Sequence, residues 1–365
     1  MNQDVKLNVF EAFSGVGSQH MALRNINKKF KIVATSDIDP AATLAYYYIH
    51  KKNDNSYNIL PKQEIINYLS KILIKSEKDL KKLSNEKLTE LYIACVKTNN
   101  LGDITKISIE NIPEHNLFTY SFPCQDISSI GTKKGLDQNS GTRSSLLWEC
   151  KKIIENKKPK YLVLENVKSL TTGKNKQNFE TWLRYLESLG YENYWKIFDA
   201  QHYGIPQRRP RVIVVSKLGK SKINLIKDNQ FIHKSLNDII DDKGKKWTIF
   251  NPKAKVKGEV KEGEVLFLDD RDWKINGVMI DKVSSTQRAG RSGLKLIKCE
   301  NGTLYERKLS ALECCRLMGY NDQDYHNMKQ GKLSDNTIIR LCGNSIVVNV
   351  LENIFRNIYE EEEND

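Results

Sequence analysis

Leu7-Asn8-Val9-Phe10-Glu11-Ala12-Phe13 runs straight into Ser14-Gly15-Val16-Gly17-Ser18, and a helix-forming stretch from Gln19 to Asn25 follows. The first run reads as a strand. Two glycines one residue apart then give a tight turn and let a ligand approach the backbone closely. The helix start beyond them offers unbonded N–H groups to an anion. In a dinucleotide-binding sequence a third glycine or alanine would occupy position 20, where this chain has His20. The loop therefore suits a smaller nucleoside whose anionic group is a carboxylate.

Working outward, Lys31–Ser36 reads as a second strand and residues 40–50 as a helix. Strand-like runs recur at Leu117–Ser121, Tyr161–Leu164 and Val212–Val215, with helix-like stretches at 144–156 and 177–189 between them. Strand and helix in alternation predict an α/β fold, a parallel sheet covered by helices on both faces. Pro61 to Thr98 reads as a lysine-rich insertion of two or so amphipathic helices. The rhythm changes after Ser216: residues 216–262 hold 12 lysines against 6 acids, with no helical period. We read 217–325 as a smaller, mostly β or irregular domain, 326–343 as a hinge, and 1–216 with 344–365 as the main domain. Asn344 to Ile358 is apolar at helical spacing, and the acidic Glu360–Glu363 after it is expected to be a solvated end.

The 365 residues are 39% hydrophobic and 28% charged, ample for a large core. No run approaches the roughly 20 apolar residues of a membrane span, and the N-terminal residues lack signal-peptide character. A cytoplasmic protein is expected. Lys and Arg outnumber Asp and Glu by 58 to 45, a charge of +13, which fits a polyanionic partner and equally a merely lysine-rich composition. The seven cysteines form no CxxC pair, so neither a zinc site nor a disulfide framework is expected.

Asp37, at the end of the second strand, stands where an acid binds ribose hydroxyls, and Asp103 in Gly102-Asp103-Ile104 could accept from an adenine amino group. S-adenosylmethionine is a ligand of this kind. Cys124, in Ser121-Phe122-Pro123-Cys124-Gln125, sits just after a strand end where a thiolate could attack, although a single cysteine there is more often buried than catalytic. Glu165-Asn166-Val167 follows the apolar Tyr161–Leu164, and the C-terminal strand ends of a parallel sheet converge on one edge, so Glu165 and Cys124 can meet. A carboxyl among apolar groups can have its proton affinity raised and donate to a ring nitrogen. Gln207-Arg208-Arg209-Pro210-Arg211 could clamp a phosphate or orient an acid, or be a solvated turn.

Six stretches resemble, in order, the bacterial DNA (cytosine-5)-methyltransferases: Phe13-Ser14-Gly15-Val16-Gly17, Phe122-Pro123-Cys124-Gln125, Glu165-Asn166-Val167, Gln207-Arg208-Arg209-Pro210-Arg211, Arg307-Lys308-Leu309-Ser310 through Gly319-Tyr320, and Gly343-Asn344-Ser345-Ile346. The resemblance implies a Rossmann-like methyltransferase sheet with a target-recognition domain. It implies attack by Cys124 on C6 of a flipped cytosine, Glu165 at N3, and Arg209 and Arg211 near the base and its phosphate. S-adenosylmethionine would lie against Phe13, Ser14, Gly15, Gly17, Asp37, Ile38, Asp103, Ile104, Asn344 and Ser345, leaving S-adenosylhomocysteine as product, with no metal. The polar segment from Ser128 to Arg143 resembles the family's closing loop. Ser128, Arg143, Gln207, Arg288 and Arg291 are the expected DNA contacts, the last two from the stretch Ser284 to Gly293. Implied partners are double-stranded DNA and a cognate restriction endonuclease, for a monomeric, nucleoid-associated enzyme of restriction–modification type.

Two departures stand out. Ile38 occupies the place where the family often has an aromatic residue to stack on adenine, and Pro61–Thr98 has no counterpart in the shortest members. The insertion and Phe10-Glu11-Ala12-Phe13 have some resemblance to mollicute CpG methyltransferases. A tRNA cytosine-5 methyltransferase is the main rival; those relatives usually carry a Cys-Phe-Thr tripeptide and little recognition domain, unlike this chain. A DNA-binding protein on an inactive scaffold would have lost Cys124 or Glu165, and both are present. An NAD oxidoreductase fits His20 and the cysteine-centred site less well.

Overall fold

The computed structural model describes residues 6–52, 58–123, 146–173, 175–252, 254–289 and 294–364. Cys124, Ser128, Arg143 and Arg291 lie outside the described residues. The chain divides into two compact units, Met1–Phe198 with Pro210–Asp228 and Leu351–Asp365, and Asp199–Arg209 with Asn229–Val350. These differ in extent from the segments 1–216 and 217–325 expected from the sequence.

The first unit is built on a six-stranded sheet of β1 (Leu7–Ala12), β2 (Phe30–Ser36), β3 (Leu117–Tyr120), β4 (Tyr161–Val167), β5 (Tyr191–Asp199) and β6 (Pro210–Leu218), in the order β2-β1-β3-β4-β6-β5. β3 is buried along its whole length, and β1 and β4 at every residue but one each, as expected of strands covered on both faces. The β2-β1-β3-β4 pairs are parallel, but β6 runs antiparallel to β4, so the sheet is mixed rather than wholly parallel. Direction cannot be read from composition, since an apolar strand has the same pattern either way. Helices α1 (Ser18–Asn25), α2 (Pro40–His50), α6 (Glu149–Lys157) and α7 (Asn175–Ser188) accompany the strands. Asp39 caps α2 by accepting from the Ala41 N–H, and Pro40 at the first helical position needs no partner.

The insertion holds three helices, α3 (Lys62–Ile72), α4 (Glu77–Lys81) and α5 (Asn85–Lys97). Ser76 and Ser84 each cap a new helix through the side-chain oxygen and divide the run. α3 packs on α5, and α5 on α2.

The acidic end is not solvated as expected. Helix α12 (Val348–Asn364) continues through it, and Glu361 is fully buried. Its carboxylate meets Lys217 Nζ at 2.5 Å and accepts from the N–H groups of Lys222 and Ile223. Glu360, Glu362 and Glu363 pair with Lys227, Lys160 and Lys28. Complementary charges far apart in sequence make this tail a fastener.

The second unit has its own sheet of β7 (Thr248–Ile249), β8 (Val256–Lys257), β9 (Val265–Asp269), β10 (Val278–Asp281), β11 (Lys295–Glu300) and β12 (Thr303–Lys308), in the order β7-β12-β11-β9-β10-β8. After the short α8 (Trp273–Asn276) come α9 (Ala311–Arg316), α10 (Asp322–Gln330) and α11 (Asp335–Asn344). Ser310 and Glu313 form a capping box at α9, and Arg307 holds Glu313 by two bonds of 2.9 and 2.7 Å. The motif beginning at Arg307 thus builds this corner.

Candidate functional site

Four strand ends of the first unit are in line. Ala12 pairs with Ser36 and with Tyr120, and Tyr120 pairs with Leu164. The next residues, Phe13, Asp37, Ser121 and Glu165, therefore emerge at one edge. β6 delivers Arg211 to that edge because it runs backwards: Arg211 is opposite Val167, and Ile213 opposite Glu165.

Phe13 takes a left-handed conformation (φ 55°), a rare one for a bulky residue and typical of functional turns. Gly15 donates its N–H to Asp37 Oδ2 at 2.8 Å, and Asp39 donates to Oδ1 at 2.8 Å. Burial pushes the Asp37 carboxyl up to about 6, against the pull of those two backbone donors. Among the described residues a Cβ on Gly15 would meet nothing within 4 Å, so they leave open space over the loop. Gly17 is different: with φ 81°, a Cβ there would lie 2.6 Å from His50 Nε2 and from Tyr46 Cε2.

Beneath Gly17 lies a polar cluster. Tyr46 donates to Glu11 Oε2 at 2.7 Å, His20 Nδ1 lies 3.0 Å from the Tyr46 hydroxyl, and the His20 and His50 rings stack 4.0 Å apart. Burial raises Glu11 to about 7 and lowers His20 to about 3, so each favours its neutral form. His20 thus closes the floor of the loop.

Asn100, almost fully buried, fixes the two acid-bearing turns in one frame. Its Oδ1 accepts from Asp37 N–H at 3.0 Å and Gly102 N–H at 3.0 Å, while its Nδ2 donates to the Asp37 carbonyl at 2.9 Å. Ser36 donates to the Gly102 carbonyl at 2.6 Å. Asp103 accepts from the Thr105 N–H and hydroxyl, and Ile104 is buried beside it. Ile38 follows Asp37, half-buried.

Further along the same edge, Arg211 Nε lies 3.2 Å from Glu165 Oε1, with both side chains largely shielded from water. Asn166 donates to the Phe122 carbonyl at 3.0 Å, and its Oδ1 accepts from the Val167 N–H. That bond fixes the backbone two residues before Cys124.

In the second unit three motifs meet. Arg209, 3% exposed, donates to the carbonyls of Gln287 (2.7 Å), Gly343 (3.0 Å) and Ser345 (2.6 Å). Gln207 is fully buried, donating to the Leu317 carbonyl at 2.7 Å and accepting from the Gln287 N–H at 2.8 Å. A Cβ on Gly343 would lie 2.2 Å from the Ala289 nitrogen, so only glycine fits there. Asn344 is exposed, and the Ser345 hydroxyl donates to the Leu341 carbonyl. Arg208 and Arg288 line a cleft of about 410 Å³ with Lys257, Asp269 and Asp272; Arg288 pairs with Asp272 at 2.7 Å, and Arg208 with Asp281 at 2.6 Å.

The C-5 cytosine-specific DNA methylase family model matches residues 70–360. The chain is 40% identical to the type II methyltransferase M2.ScrFI of Lactococcus lactis subsp. cremoris, over 98% of this chain and 100% of that one. The chain belongs to the C-5 cytosine-specific DNA methylase family. This methylase is also 32% identical to the orphan methyltransferase M.SssI of Spiroplasma monobiae, over 98% of each chain. Among solved structures, the Entamoeba histolytica methyltransferase EhMeth covers 98% of this chain and 99% of its own, with 18% identity and a TM-score of 0.64, a likeness of fold. The protein is a DNA (cytosine-5-)-methyltransferase, and the tRNA reading gives way to the DNA one.

Within this methylase, Phe13, Gly15, Asp37, Asp103, Glu165 and Arg211 are gathered in one unit. Gln207 needs correcting as a DNA contact: with its side chain sealed inside and bonded to main chain at both ends, it has nothing to offer a duplex. Asn100, Asn166 and the cluster under Gly17 escaped the sequence reading. Buried asparagines look like ordinary polar residues until their partners are known; only Gly102, two residues on from Asn100, hinted at a fixed turn.

Proposed function

We propose that this DNA methylase transfers a methyl group to C5 of a cytosine flipped out of the duplex, through a covalent bond between Cys124 Sγ and C6. The observation that carries the residue assignment is the Arg211–Glu165 pair, one position from the Asn166–Phe122 bond that fixes the chain leading to Cys124. Attack at C6 breaks the C5–C6 double bond and turns C5 into an enamine-like nucleophile. Glu165, oriented by Arg211, hydrogen-bonds at N3 and balances the charge gathering on the ring. When bound, S-adenosylmethionine supplies the electrophilic methyl. Loss of the C5 proton to a base then restores the double bond as the thiolate leaves.

The residues present fit that cofactor. The open space over Gly15, the Phe13 turn and the Asp37 carboxylate suit a nucleoside with a charged tail, with Ile38, Asp103 and Ile104 at the adenine and Ser14 and Gly17 shaping the loop. Asn344 and Ser345 we assign to the same ligand. Arg209 becomes a positioning residue, since its guanidinium holds three backbone carbonyls. Arg288, with Arg208 beside it, is assigned to the DNA, as are Ser128, Arg143 and Arg291 outside the described residues. Residues 217–325 would serve recognition, with 326–343 as hinge. A monomer at work in the cytoplasm, on the nucleoid and alongside a cognate endonuclease, completes the proposal.

The test is incubation with labelled S-adenosylmethionine and unmethylated DNA, followed by bisulfite mapping of 5-methylcytosine. Cys124→Ser is expected to abolish transfer. Full activity in that variant would remove Cys124 from the chemistry, and transfer to tRNA alone would remove DNA as substrate.

A further inference from the structure

The inserted helices α3 to α5 carry none of the shared motifs, yet their chain reaches the nucleoside face at two points. Ile74, just past α3, donates its N–H to the Ile38 carbonyl at 2.9 Å. Two residues earlier, the backbone of Ile72 supports the turn that bears Asp103: a Cβ on Gly102 would lie 2.7 Å from the Ile72 carbonyl oxygen, and Gly102 has φ 77°. Ile38, just after Asp37, and Gly102, just before Asp103, therefore both rest on the end of α3.

This support is anchored. Ile65, Ile66 and Leu69 of α3 are buried, as are Leu88, Leu91 and Tyr92 of α5, and the Tyr68 and Tyr92 rings meet edge-on at 5.3 Å. Leu73 is buried too. Ile74 beside it is 65% exposed, one of few large apolar side chains left in water among the described residues. An aliphatic side chain held there by backbone hydrogen bonding gains when an apolar ring covers it. A lone Ile38 covers only part of a purine face.

We propose that Ile74, carried by the insertion, forms with Ile38 an apolar wall against the adenine of the bound cofactor. The assignment rests on the S-adenosylmethionine reading above. It makes the insertion part of the cofactor site, so that Ile74 sets affinity for the nucleoside while taking no part in the chemistry.

The experiment is an equilibrium titration of the full chain with S-adenosylhomocysteine by calorimetry, with a thermal melt of each variant. Ile74→Ala is expected to weaken binding by about threefold to tenfold from the lost apolar contact, and Ile74→Asp by more. Ile74→Phe, which enlarges the wall, is expected to bind at least as tightly as the parent. Ile59→Asp, at an equally exposed position of the same region, should bind within about twofold of the parent. Melting temperatures should hold, because the side chain is exposed. Parental affinity in Ile74→Asp, or an equal loss in Ile59→Asp, would overturn the inference. Failure of the parent chain to bind would instead overturn the cofactor assignment beneath it.

Discussion

Glu11→Gln should make the protein more stable at alkaline pH and leave it nearly unchanged in acid. Glu11 is wholly buried; Tyr46 donates to one oxygen, while Oε1 meets no hydrogen-bond partner among the described residues. Burial lifts its pKa from 4.5 to about 7, with Tyr46 and the charge of Lys51 opposing the rise. The folded state therefore binds this proton more tightly than the unfolded chain does. That stabilising contribution is complete below pH 4.5 and is lost as pH rises through 7. By linkage, the resulting penalty is about 1 kcal/mol at pH 5 and about 3 kcal/mol at pH 8. Glutamine has the same shape and no charge, so its advantage over the parent should grow by about 2 kcal/mol between those values. Comparing the two pH values cancels any constant packing change. His20, lowered to about 3, contributes stability above pH 6.5 that is lost as pH falls; it is present in both proteins and drops out of the comparison to first order. Urea unfolding of parent and variant at pH 5 and pH 8 measures the difference. A change below about 0.5 kcal/mol would show that Glu11 carries no such burden.

Other perturbations separate the parts of the site. Arg211→Ala removes the guanidinium 3.2 Å from Glu165 and should lower kcat roughly a hundredfold, with S-adenosylhomocysteine affinity unchanged; equal losses in both would point to a general disturbance. Asn100→Ala strips partners from Asp37 and from the Gly102 N–H, so stability should fall by about 2–4 kcal/mol and cofactor binding should weaken, whereas Asn100→Asp keeps both acceptor bonds and should lose less. Urea curves and ligand titration for the pair would decide this, and indistinguishable variants would contradict it. Gly343→Ala forces a Cβ to within 2.2 Å of the Ala289 nitrogen and should destabilise by about 1–3 kcal/mol. An unchanged urea midpoint would mean that the 288–289 backbone yields freely.

Much of the fold and site was legible in the chain itself. The run from Leu7 to Gly17 determined a strand, a tight turn and a helix, because glycine spacing and apolar patterning act locally. The order of the six motifs pointed to the family and nominated Glu165 and Arg211, while the end of the second strand nominated Asp37. What tertiary structure decided was everything that depends on direction and on distant partners. The reversed β6 brings Arg211 to Glu165, and no local signal records which way a strand will run. Gln207 and Arg209 looked like surface groups beside a proline. They are buried because main-chain carbonyls and an N–H from residues 78 or more positions away satisfy them. Glu361 looked like a solvated tail until Lys217 came to meet it. Burial of a polar group is permitted only when partners are supplied, and folding rather than sequence adjacency supplies them.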